Sequence, residues 1–384
     1  MLSEPLALTM LLTFLILLLF LLAYFVMIKL RKYSAYGFLA ALLKGKEAKC
    51  ITEEEVLEAL KKKNFTEAVE VFSNTELGQY LAEKIAAITT FRELEKTVWE
   101  YLSKDILHIK EHLPKDALEF LRNYIIKYDL ANVKQVLRRI SERSVHLTEL
   151  IPLGVIFEQG LLDKLNKAAS IDEIVDIVKI AGLHNYALVI EKYSKKFTKE
   201  ANVKKVRMEL EKELDNMYYA KLMSLSSKMR GKEQLMLSMG AYIDLLNLSI
   251  VVRGVLSGDQ AGAARNLLDI TYVLHRDVLK SMLESKNLDE LVGKIERTPY
   301  AEAGRSIMEI YRLVGDVLLV EKTIIDYSMR RIKETISTAL LTPAVLLHYL
   351  LTKEKEIKLV FLTFRVIEEK LPVEVYSKFI REIR

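Results

Sequence analysis

Cysteine occurs once in 384 residues, proline 6 times and glycine 14 times. A single thiol, Cys50, excludes an intramolecular disulfide and a cysteine-based zinc cluster, and it fits a reducing compartment for most of the chain. So few backbone breakers exclude a fold of short strands and tight turns and favour long helices. The 57 basic and 52 acidic residues leave a net charge of +5 spread along the chain. That is not the concentrated basic face of a nucleic-acid binder, so no nucleic-acid partner is expected. Glutamine appears only five times against abundant lysine and glutamate, a bias that fits a heat-adapted host.

The usual chemical motifs are missing too. Gly231-Lys232 has neither the partner glycine nor the hydroxyl residue of a phosphate-cradling loop. There is no GxGxxG after a strand and no GxSxG elbow. One string, His108-Ile109-Lys110-Glu111-His112, matches the HxxEH pattern of a zinc-protease class, and histidines four apart share a helix face. It ends just before Leu113-Pro114, at a helix tip that offers neither a third ligand nor a closed pocket. We read it as a solvated helix end, and no catalytic residue, metal or cofactor is expected. Cys50 reads as an ordinary thiol. Lys61-Lys62-Lys63 reads as a solvated helix end, close enough to a membrane to touch lipid headgroups.

Against these absences stands one long hydrophobic run. Residues 6–28 are 23 consecutive uncharged residues, ten of them leucine. At about 1.5 Å per residue the run spans roughly 34 Å, enough for a hydrocarbon core of about 30 Å. A cleaved signal would carry a basic start, whereas residues 1–5 hold only Glu4. A permanent membrane helix is expected. Lys29, Arg31 and Lys32 follow at once, which puts that end in the cytoplasm and the N-terminus outside.

The remainder repeats itself. Leu94-Glu95-Lys96, Leu210-Glu211-Lys212 and Val320-Glu321-Lys322 each open a helical pattern that stops at Leu113-Pro114, Gly231 and Thr342-Pro343. A returning helix then passes through Asp129 to Lys134, Asp244 to Ser249, and Lys353 to Lys358. An arginine follows six residues after each asparagine, giving the pairs Asn132/Arg138 and Asn247/Arg253. We read these as helix-packing polar pairs with the arginine on the rim. Positions 225–229 and 335–339, which correspond to the HxxEH string, hold no histidine. Thr52, Ser170 and Asn287, each followed by acidic residues, are expected N-caps of a second recurring piece. The reading is an all-α chain divided into a membrane segment, 1–32, and three similar units, 33–150, 151–258 and 259–384.

The segments that carry a family resemblance are Tyr128 to Arg138, Leu150-Ile151-Pro152-Leu153-Gly154, Leu210 to Tyr219, Ile243 to Leu248 with Arg253-Gly254, Glu356-Ile357-Lys358 and Leu371-Pro372. In order and spacing, over residues 33–384, they resemble the C subunit of archaeal and bacterial A/V-type rotary ATPases, known as the d subunit in eukaryotic vacuolar enzymes. The resemblance implies three helical domains in a pseudo-threefold funnel. It implies a non-catalytic rotor part, seated on the proteolipid c-ring and receiving the central stalk subunits D and F, with no small-molecule substrate. The alternative is a membrane-tethered helical scaffold that kept the fold and lost the rotor role. Three features depart from the family: Tyr36 to Leu43 contains no arginine, Leu153-Gly154 replaces the usual Gly-Gly, and the soluble members lack the membrane helix. A helix that turns with a rotor clears the stator only in the lumen of the ring. Residues 6–28 are therefore expected there, among lipid, with the bulk of the chain on the cytoplasmic side of the cell membrane.

Overall fold

The computed structural model describes residues 4–142, 149–199, 203–334 and 340–381, and all regular structure among them is helical. The first helix, α1 (Glu4–Glu47), runs 44 residues without a break through the basic cluster at 29–32. Its side chains from Leu12 to Met27 are exposed all round. From Tyr36 onward it becomes one-sided, with Tyr36, Leu39 and Leu43 fully buried at helical spacing. The side chains of Lys29, Arg31 and Lys32 lie outside the described residues.

Local signals start the helices that follow. Thr52 forms a capping box with Glu55 at α2 (Glu53–Ala59), and Asn64 caps α3 (Phe65–Val71). Thr75 caps α4 (Glu76–Lys84), and a second capping box, Thr90 with Glu93, opens α5 (Phe91–Lys110). Ser170 and Asn287 cap α10 (Ile171–Ile180) and α16 (Leu288–Ile295), as their positions before acidic residues suggest.

Six long segments carry the interior. They are α5; α6 (Lys115–Tyr124) with α7 (Ile126–Ser141); α12 (Val203–Ser226); α13 (Lys232–Ser257); α18 (Val317–Lys333); and α19 (Ala344–Glu368). Around a common centre α7 packs on α12, α12 on α13, α13 on α18, α18 on α19 and α19 on α5. The circle closes where Trp99 of α5 meets Tyr128 of α7 edge to face, centroids 5.8 Å apart. α13 is also long and apolar enough to cross a membrane, but 72% of its apolar stretch is buried in the protein. It is a core helix.

Short helices form an outer layer in three groups. The first is α8 (Val155–Glu158), α9 (Leu162–Lys167), α10 and α11 (His184–Lys199). It packs on α7 and reaches α12 through α11. The second is α14 (Gln260–Asn266), α15 (Arg276–Leu283), α16 and α17 (Ala301–Leu313). It covers α13 and reaches α18 through α17. The third covers α19 and reaches α5, and it is drawn from both chain ends: the C-terminal part of α1, α2, α3 and α4, with α20 (Val373–Ile380).

Candidate functional site

The circle of long helices encloses an open cavity of about 700 Å³. All six segments line it, and three ion pairs join neighbouring segments across it. Lys134 of α7 meets Asp215 of α12, and Lys358 of α19 lies 2.5 Å from Glu321 of α18. Lys127 of α7 reaches Glu354 of α19, and the hydroxyls of Tyr124 and Tyr128 donate to the same carboxylate at 2.7 and 3.2 Å. Burial holds both phenols well above their ordinary pKa, with the Glu354 charge adding to it. Burial also pulls the Lys127 ammonium down, against the attraction of Glu354. Among the described residues its lining holds no histidine and no cysteine. The lining presents tyrosines and charges of both signs, which suits a protein surface better than a small substrate.

Of the predicted polar pairs, the asparagines are buried and the arginines exposed. Each asparagine spends its amide on a loop backbone. Asn132 Nδ2 donates to Ile151 O at 2.8 Å, and Ile151 N donates to Asn132 Oδ1 at 2.7 Å. Asn247 Oδ1 accepts from Leu268 N, and its Nδ2 donates to Ile270 O at 3.2 Å. Arg253 lines the cavity, and Arg138 stands near enough to Glu211 to lower that residue's raised pKa.

Two neighbouring carboxylates carry more of the structure than the sequence reading assigned them. Asp129, fully buried, accepts from Val155 N and Ile156 N at 2.8 and 2.9 Å. Asp244, also fully buried, accepts from Tyr272, Val273 and Leu274 N and from the Tyr300 hydroxyl at 2.6–3.0 Å. The one legible signal was their place three residues before each recurring asparagine. Gly154 serves Asp129: its φ is +112°, and a Cβ there would fall 2.4 Å from Oδ1. Leu153-Gly154 thus keeps the glycine that the carboxylate requires.

Burial pushes the Asp129 carboxyl up to about 7, although two amides favour its charged form. A raised carboxylate pKa means that the native state holds a proton the unfolded chain has lost. Its contribution is therefore greatest below pH 4 and falls as pH rises towards 7, by about 4 kcal/mol at most. Urea denaturation of wild type and Asp129→Asn between pH 4 and 8 should show their stability difference drifting over that window. A constant difference would contradict a titrating Asp129.

Where the third outer group closes on α19, the contact is ionic. Glu356 accepts from Ile51 N at 2.9 Å, in the role Asp129 and Asp244 play elsewhere, and Lys353 lies 2.6 Å from its other oxygen. Lys322 stands 2.7 Å from both Glu53 and Asp326, and Lys355 stands 2.8 Å from the same two carboxylates. Burial works against the Lys355 charge, but Asp326 and Glu53 outweigh it and hold its pKa up. Cys50 is buried here, 3.8 Å from Lys353 Nζ, and burial drives its thiol well above the ordinary range, as an unreactive cysteine requires. Lys322→Met should cost about 3 kcal/mol by leaving two buried carboxylates to one lysine. Lys322→Met with Asp326→Leu should recover most of it. Equal stability of the single variant and wild type in urea would show that this seam adds nothing to stability.

Among the described residues, the ends of α5 and α12 lie against α1, and the α12–α13 turn lies against the start of α19. The His112 ring contacts Phe38 at 5.7 Å, and the Tyr36 hydroxyl donates to Asp116 at 2.8 Å. The Arg230 guanidinium lies 4.5 Å over the Tyr33 ring, and Gly231 sits directly against Thr342. Positions 335–339 lie outside the described residues.

Comparison with known proteins addresses most of the chain. The sequence profile of the family described as ATP synthase (C/AC39) subunit matches residues 39–379. The C subunit of the A-type ATP synthase of Pyrococcus furiosus is 25% identical over 354 residues, covering 92% of each chain. That of Thermococcus kodakarensis is 23% identical over 360 residues, with the same coverage of both. That of Methanocaldococcus jannaschii is 23% identical over 332 residues, covering 85% of this chain and 81% of its own.

Proposed function

The chain belongs to the ATP synthase (C/AC39) subunit family, and from that premise we propose that it is a non-catalytic rotor part of an A/V-type ATPase. In this reading three units, 33–150, 151–258 and 259–384, close into a funnel. The funnel sits on the cytoplasmic face of the c-ring, receives the stalk subunits D and F, and passes torque between them. Residues 6–28 cross the membrane inside the ring lumen, with lipid filling the remaining space and the N-terminus outside.

The observation that carries this is the order of features along one direction. The exposed apolar part of α1 leaves the protein beside the ends of α5 and α12, and the paired-charge cavity opens further along the same helices. A helix on the rotation axis turns in place when the protein turns. Close-packed helices with few glycines resist twisting, as torque transfer demands. Charges facing a partner give a joint that is specific and can come apart.

Cysteine crosslinking tests the lumen, and the native Cys50 is too buried to interfere. A cysteine at Leu19 should crosslink to lumen-facing positions of the ring. Crosslinks to the stator or to the outer face of the ring would refute the arrangement. Co-migration with ring and stalk proteins on a native gel separates the rotor from the tethered scaffold, which would migrate without them.

A further inference from the structure

We propose that His108, Glu111 and His112 form a metal site at the end of α5 for one borderline divalent ion of the zinc or nickel class. Their spacing alone allows this weakly, and the tertiary structure adds to it. One donor atom from each lies within 4.8 Å of the others. The two imidazoles stand edge to face with centroids 5.4 Å apart. Zinc–nitrogen and zinc–oxygen bonds are about 2.0–2.2 Å, so tetrahedral donors sit nearer to one another than this. All three side chains are exposed.

Three features of the surroundings favour a cation. The site caps the C-terminal end of α5, where the helix dipole is negative. The neighbouring ammonium of Lys110 is taken up 2.7 Å away by Glu158. The ring of His112 rests against Phe38, which limits its motion. Two imidazoles and one carboxylate select zinc, nickel or copper over magnesium and calcium, which prefer oxygen ligands alone. Three exposed ligands at a helix end suit a structural ion. A bound ion ties the last turn of α5 to the residue that touches α1, and so stiffens the tip beside that helix.

The test is calorimetric titration of the full chain in detergent, without a histidine tag, with zinc chloride and with magnesium chloride. One equivalent of zinc should bind and magnesium should not. His108→Ala and His112→Ala should each weaken zinc about tenfold or more, Glu111→Gln should weaken it less, and His184→Ala should leave it unchanged. Because the exposed histidines bear little on folding, each variant should keep the wild-type helical circular dichroism. No zinc heat in the wild type, or the same isotherm in both histidine variants, overturns the proposal. A variant that loses its helical signal is replaced by His108→Gln or His112→Gln, where unaltered zinc affinity would equally overturn it.

Discussion

The double variant Leu17→Arg with Leu21→Arg is expected to leave the membrane and remain folded. The two positions share one face of α1 and are 63% and 55% exposed, so neither supports the core. Leucine at the centre of a membrane helix contributes about −0.3 to −0.6 kcal/mol to insertion, and arginine costs about 2.5–3.5. Two replacements therefore shift insertion by about 6–8 kcal/mol. That is at least as large as the roughly 3–6 kcal/mol that ten leucines supply together. Carbonate-washed membranes should lose the variant to the supernatant, while the soluble protein keeps the wild-type helical signal and melting temperature. Retention in the washed pellet would mean that something other than this helix holds the protein to the membrane.

Asp244→Ala is expected to be the most destabilising single change in the folded part. The carboxylate serves three backbone amides and a tyrosine hydroxyl, and all of it is buried. Truncation leaves four donors without a partner where water does not reach. Each such loss costs about 1–3 kcal/mol, so a total of about 4–6 kcal/mol is reasonable for a connected set. The loop at 267–275 would lose its fixed course between α14 and α15. Asp244→Asn retains one acceptor oxygen and should lose roughly half as much. Urea midpoints for the two variants test this ordering. A loss below about 1 kcal/mol for Asp244→Ala would mean that the loop is held by its packing instead.

Much of this architecture was legible from residue types. Breaker scarcity announced the helices, and Thr52, Ser170 and Asn287 announced three of their starts, because capping is a contact between residues three apart. The recurring asparagines pointed to a repeated packing role, but their partners could not be read from the sequence. Asn132 and Asn247 turn to loop backbone that lies 19 to 23 residues away. Asp129 and Asp244 escaped notice because an aspartate on a helix looks the same in sequence whether it faces water or a loop. The third copy hid its counterpart, since Glu356 takes its partner from Ile51, 305 residues distant.

What the sequence determined by itself is local: an apolar run long enough for a bilayer, long helices, their caps, a repeat, and a family resemblance that the profile match bears out. Hydropathy, capping and helical spacing all act within a few turns of chain, so composition and order suffice to state them. The fold alone settles which neighbours bury α13, because covering helices are invisible to its own sequence. It also decided that the ends of α5 and α12 lie against α1, and that the chain's two ends complete one outer layer. Those outcomes depend on which buried groups from remote segments satisfy one another, as Lys322, Glu53, Asp326 and Lys355 do.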